Sequence, residues 1–244
     1  MKINNPRSRF QISIKNSDRV LEVGGGNNPH PRSNVVVDKY VDDNTHRADN
    51  LKVLKTQQFI HADGESLPFK DREFDYVICC HVLEHVPHPD LFISEQTRVA
   101  PRGYLETPSL LGEYLAPKES HRWLIMDIDD KIILYDKEKL GFKVSHDFGQ
   151  LFLKYLPSNS LGFKLLLRSH PQIMTMNYQW KDNIDYLINP EDEHYLRFFT
   201  RPWEKDTANY LLKQRSMSGE LKEAFTGTLA IMKDVFRHKV LKKQ

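Results

Sequence analysis

Four side chains in this sequence are of the kinds that move protons or hold metal ions, and three of them fall within five residues. His81, Glu84 and His85 stand at i, i+3 and i+4 in His81-Val82-Leu83-Glu84-His85, a spacing that puts them on one face if the segment is helical. His121 follows in Ser120-His121-Arg122-Trp123. An imidazole titrates near neutral pH and can take a proton from a nucleophile. Three imidazoles and a carboxylate can instead hold a divalent ion, and the plainer alternative is that Glu84 and His85 only orient a loop. A second set has the chemistry of a nucleotide cradle. Val20-Leu21-Glu22-Val23 runs into Gly24-Gly25-Gly26, and two later apolar runs end in Asp38 and Asp63. Glycines permit a tight turn and close approach to the backbone. A carboxylate at a strand end can accept two hydrogen bonds from a ligand, or can simply close the strand in a turn.

These groups need a frame, and the hydrophobic pattern supplies one. Short apolar runs at 19–23, 35–37, 59–62, 75–80 and 103–107 alternate with loops or helical stretches, and four of the five are followed or closed by a polar residue. That alternation predicts a parallel α/β sheet, which binds ligands at the carboxyl ends of its strands. Only about a dozen residues, with two prolines, separate the first two strands, near the minimum for a crossover. A turn or short helix is therefore expected where such folds carry a full helix. A helix opens at Pro89-Asp90 and runs to about Val99. Beyond Ser109 the pattern predicts a hairpin across 123–135, further strands at 173–180 and 184–188, and a long amphipathic C-terminal helix. In that helix Leu221, Phe225, Leu229, Met232, Phe236 and Val240 recur at helical spacing. Its end carries Arg237, Lys239, Lys242 and Lys243, which complement a helix C-terminus. Residues before Ser17 read as a lead-in strapping the sheet edge.

Composition narrows the class. The chain has 244 residues, 39% hydrophobic and 28% charged, with a formal net charge of +2; the charge is too small to argue for a nucleic-acid or anionic-membrane partner. The only cysteines, Cys79 and Cys80, are adjacent, so they cannot staple distant segments and read as small strand residues. No stretch reaches the length of a signal peptide's apolar core or of a membrane span, which points to a cytoplasmic protein.

Taken together, Glu22-Val23-Gly24-Gly25-Gly26, Asp38, Asp63-Gly64 with Leu67-Pro68-Phe69, and Phe74-Asp75-Tyr76-Val77 resemble class I S-adenosylmethionine-dependent methyltransferases. The likeness is strongest to their type 11 domains, in which His81-Val82-Leu83-Glu84-His85-Val86 and Arg98-Val99 are typical. It spans Val20 to Pro108. The resemblance implies a Rossmann-like, mostly parallel sheet with helices on both faces; the chain is then read as a cofactor domain over 1–115 and a mixed C-terminal extension over 116–244, which lies outside the resemblance and is expected to cover the acceptor site. The resemblance also implies S-adenosylmethionine as cofactor and S-adenosylhomocysteine as product. Glu22, Gly24, Gly25, Gly26, Asp38, Asp63, Gly64 and His81 would form the cofactor site. Gly24 and Gly26 would face its amino-acid end, Asp38 its ribose hydroxyls, and Asp63 with the Gly64 N–H its adenine. Two departures stand out: the missing helix after Gly26, and Ala100-Pro101-Arg102-Gly103 in place of the common Lys-Pro-Gly-Gly.

Methyl transfer displaces a good leaving group from carbon, so the protein has mainly to position a deprotonated nucleophile. His85, His121 and Glu84 are the catalytic candidates, with either histidine as base. The segment from His81 to His85 is also similar to the Glu-x-x-Glu-His metal motif of ubiquinone-pathway and small-RNA O-methyltransferases. Here His81 replaces the first glutamate, so a metal site of His81, Glu84, His85 and His121 is the secondary reading. The expected acceptor is a small molecule taking methyl on oxygen or nitrogen, such as a sugar or sugar-nucleotide. Alternatives are a cofactor-binding scaffold without turnover, an RNA methyltransferase using the basic C-terminal helix, and an NAD-dependent oxidoreductase. The last is disfavoured because Pro29 stands where the third glycine of the fingerprint belongs. His30 reads as a loop residue, and Trp123, Tyr178, Trp180 and Trp203 as core or as acceptor-pocket lining.

Overall fold

The computed structural model describes residues 1–42 and 49–241, with side chains described up to 233. Lys242 and Lys243 of the expected basic end lie outside the described residues, as do the side chains of Phe236, Arg237, Lys239 and Val240. The strands are β1 (Lys2–Asn4), β2 (Val20–Val23), β3 (Val35–Asp38), β4 (Gln58–His61), β5 (Tyr76–Cys80), β6 (Arg102–Pro108), β7 (Trp123–Ile128), β8 (Lys131–Asp136), β9 (Thr175–Lys181) and β10 (Tyr186–Ile188). The helices are α1 (Pro89–Val99), α2 (Leu110–Leu115), α3 (Leu156–Asn159), α4 (Leu161–Ser169), α5 (Glu193–Thr200), α6 (Lys205–Leu211) and α7 (Met217–Leu241).

Seven strands form the main sheet in the order β1-β9-β6-β5-β2-β3-β4. From β4 to β6 every pairing is parallel, while β9 runs antiparallel to β6 and β1 antiparallel to β9. Strands β2, β3 and β5 are almost wholly buried, as expected of parallel strands covered on both faces. One face packs Leu21, Val37, Val77, Leu105 and Trp180 against Phe92 and Ile93 of α1 and against the β7–β8 hairpin. The other face buries Val20, Tyr76, Ile78 and Tyr104 beneath Ile12 and Ile14 of the lead-in. No helix joins β2 to β3; residues 24–34 are turns and coil. Strand order reverses between β2 and β5, and the crevice at the carboxyl ends of those strands is where such sheets bind ligands.

Two expectations need correction. A division at residue 115 does not separate two structural units, because β9 inserts between β6 and β1 and completes the main sheet. The antiparallel pairing of Arg102–Pro108 with Thr175–Lys181 runs the full length of both strands. The long C-terminal helix forms, but Leu221, Phe225, Leu229 and Met232 face outward, each half or more exposed. The helix docks on α4 through its small side, where a Cβ on Gly227 would lie 3.0 Å from Leu165.

Candidate active site

The glycine turn opens a cavity of about 450 Å³ at the carboxyl ends of β2, β3 and β5. Gly24, Gly25, Gly26, Asp38, Asp63, Gly64, His81 and His85 all line it. Its size is that of a small-molecule or cofactor site. Register explains why the two aspartates meet: Asp38 pairs with His61 on the adjacent strand, two residues before Asp63. The glycines differ in what they permit. Gly24 has φ +74, and a Cβ there would lie 2.1 Å from Cγ2 of Val82, so its smallness serves packing. Gly26 has φ +53 with no atom within 4 Å of a would-be Cβ, so it opens on space.

The Asp38 carboxylate bridges the turn, with Oδ2 accepting from Gly26 N at 3.2 Å and Oδ1 from Tyr40 N at 3.0 Å. Asp63 Oδ1 accepts from Glu65 N at 3.0 Å and Oδ2 pairs with Lys39 Nζ at 2.7 Å. Burial alone would raise the Asp63 pKa, but the Glu65 N–H and the Lys39 ammonium outweigh it and hold the carboxyl below its ordinary range.

Glu22 departs from its expected place. It does not line the cavity, because alternation along β2 turns its side chain away from the ligand side. It is buried, accepting from His30 N and Ser33 Oγ at 2.7 Å each, with Arg9 Nη1 3.7 Å from its other oxygen. Burial raises its pKa against those partners. Glu22 thus anchors the 27–34 loop that stands where a helix was missing. His30 is buried in that loop and stacks on Phe10, ring centroids 5.5 Å apart.

The segment from His81 to His85 is a turn, so its three side chains do not share a helical face. His81 adopts φ +56 and His85 N bonds Val82 O at 2.9 Å. The left-handed residue sends His81 toward β6, with Nδ1 3.2 Å from Glu84 Oε1 and Nε2 3.3 Å from Glu106 Oε1. Burial disfavours charge on His81, yet the hydrogen bonds to Glu106 and Glu84 prevail and push its pKa up to about 10. Glu84, His85 and His121 do come together: each offers a ligand atom, all within 4.8 Å of one another. Chain docking explains this, since Arg122 N and Trp123 N both donate to Glu84 O, at 2.8 and 3.2 Å. His85 Nδ1 donates to Ser120 O at 2.9 Å, His121 Nδ1 donates to Glu113 Oε2 at 2.6 Å, and the rings meet edge to face at 4.6 Å. His85 lines the cavity; Glu84 and His121 lie behind it, 1% and 6% exposed.

Several site residues went unseen in the sequence. Arg9 and Lys118 line the cavity from outside the recognised segment, and Lys39 and Glu106 line it from strand ends within it. Glu113, from α2, bridges His121 and Lys137. Glu106 had a signal, an acid near the end of an apolar strand, as Asp38 and Asp63 had. Arg9 had none, because only the folded lead-in brings it there. The four aromatic candidates are core or near-core: Trp123, Tyr178 and Trp180 are buried beside the main sheet, and Trp203 packs beside α5.

Residues 34–106 match the family model described as a methyltransferase domain. An uncharacterized protein of Methanocaldococcus jannaschii is 34% identical over 93 residues, 34% of this chain and 45% of the relative. The chain thus spans less than half the length of the curated relative it matches. Among solved structures, a Methanosarcina mazei S-adenosylmethionine-dependent methyltransferase is 22% identical over 38% of this chain and 53% of its own, with TM-score 0.29. A Pyrococcus horikoshii protein is 16% identical over 67% and 81%, with TM-score 0.36. The matched segment runs from the start of β3 through Glu106 of β6, and over that stretch the chain is similar to a methyltransferase domain.

Proposed function

We propose that this chain, built on that domain, transfers a methyl group from S-adenosylmethionine to an oxygen or nitrogen of a small-molecule acceptor. One observation carries the reading: Gly26, Asp38, Asp63 and Gly64 line a single cavity across three adjacent parallel strands, with His85 on its wall. The residues fit the cofactor. Gly26 leaves open space beside the turn, Asp38 offers carboxylate oxygens to ribose hydroxyls, and Asp63 with the Gly64 N–H suits the adenine edge. Bound there, the sulfonium supplies an electrophilic methyl with a good leaving group.

The remaining work falls to the chain. His85 is the proposed proton acceptor, since the Nδ1–H bond to Ser120 O fixes its tautomer and makes Nε2 the basic nitrogen. His81 is unsuited to that role near neutral pH, because with a pKa near 10 it already carries its proton. As an imidazolium between Glu84 and Glu106 it holds the turn against β6. The test is calorimetric titration with S-adenosylhomocysteine and with NAD, then turnover with a labelled methyl donor and pooled metabolites. Binding of the first ligand alone, with label entering a small molecule, supports the reading. Binding without turnover favours a scaffold, and NAD binding rejects the assignment.

A further inference from the structure

Behind the cavity wall, Glu84, His85 and His121 have three properties of a metal centre. Their ligand atoms lie within 4.8 Å of one another, whereas donors bonded at 2.0–2.2 Å to one tetrahedral ion sit about 3.4 Å apart; small side-chain movements close the gap. Both imidazoles are oriented as ligating histidines are, the far nitrogen donating to a carbonyl or carboxylate: His85 Nδ1 to Ser120 O and His121 Nδ1 to Glu113 Oε2. Glu113 is itself held by Lys137. The third observation is independent of these. Glu84 is 1% exposed; its Oε1 faces His81, while its Oε2 is buried with no hydrogen-bond partner. A buried carboxylate oxygen left unsatisfied costs free energy, and a cation removes that cost.

We infer that Glu84, His85 and His121 bind a divalent transition-metal ion of the zinc or cobalt class, one carboxylate and two imidazoles being a donor set those ions accept. His81 is not a ligand: it orients Glu84 and is bonded to Glu106 on its other side. Three protein donors leave a coordination position for a ligand oxygen, and His85 is the donor that also lines the cavity. If the methyl-transfer reading holds, on which this one step rests, the ion would lower the pKa of an acceptor hydroxyl in place of proton abstraction by His85, which favours oxygen over nitrogen acceptors.

The full-length chain, stripped with chelator, is titrated with Zn²⁺ and with Co²⁺. Metal content is measured after desalting, and visible absorption reports the Co²⁺ ligand field. One ion per chain with tetrahedral or five-coordinate Co²⁺ absorption is expected. His85→Ala, chosen because His85 is only half-buried, should lose metal binding by at least 100-fold while keeping its thermal midpoint. Glu113→Gln should weaken binding by about 10–100-fold through His121 alone. No retained ion, or binding that His85→Ala leaves intact, overturns the site. S-adenosylhomocysteine affinity is read separately, so loss of the metal site and loss of the methyl-transfer reading are distinguishable.

Discussion

Asp38 joins the glycine turn to the segment after β3, because its two oxygens accept from Gly26 and Tyr40. Removing the carboxylate takes away a charged acceptor and loosens that turn. Asp38→Ala should therefore weaken S-adenosylhomocysteine binding by about 1–3 kcal/mol, roughly 5- to 150-fold; calorimetric affinity unchanged from the parent would reject the ribose assignment. His30 gives a pH prediction. Burial and the Arg9 charge lower its pKa from 6.5 to about 4, so between those values the unfolded chain binds more protons than the native one. The stability from keeping His30 neutral is present above pH 6.5 and is lost as pH falls toward 4, by up to about 3 kcal/mol. Urea midpoints measured across that window should drop for the parent and drop less for His30→Gln. At this scale the sequence revealed strand-end acids and glycines, whose chemistry is local. It could not reveal that Glu22 turns into a loop or that Glu84 pairs with His81, because each depends on which face of the backbone the side chain takes.

Elements decide what the glycines tolerate. Gly24 sits at φ +74 against Val82, so Gly24→Ala adds a clash to the left-handed strain. Gly26 sits at φ +53 in open space, so Gly26→Ala carries the strain alone, about 1–2 kcal/mol. Chemical denaturation should show Gly24→Ala as the more destabilised variant by more than 1 kcal/mol, while Gly26→Ala should chiefly weaken ligand binding. Equal losses would contradict the packing role assigned to Gly24. The strands were legible because buried parallel strands read as unbroken apolar runs, and β2, β3 and β5 do so. The turn at 81–85 was not. Its spacing matches a helical face, and only the left-handed conformation of His81 distinguishes the two.

For the whole molecule, the main sheet closes only with chain from beyond residue 170. A fragment ending at Leu115 would leave β6 as an open edge, without the β7–β8 hairpin over the core. Exposed edges of this kind template association, so the fragment should elute as aggregate in size-exclusion chromatography while the full chain does not. A monodisperse, folded fragment would restore the two-unit division. The sequence suggested that division because the recognisable pattern stops near Pro108, and recognisability is a property of motifs whereas strand pairing is a property of the chain.

The placing of two thiols on β5 has a practical consequence. Cys79 is buried at the centre of the sheet, while its neighbour Cys80 borders the cavity. Burial raises both thiols well above their ordinary pKa, which keeps them in their unreactive form. An alkylating reagent therefore meets two locks in series on one strand: occupancy of the cavity governs the first, and rupture of the sheet the second. The time course of labelling would report vacancy and opening as separate phases, without any engineered probe.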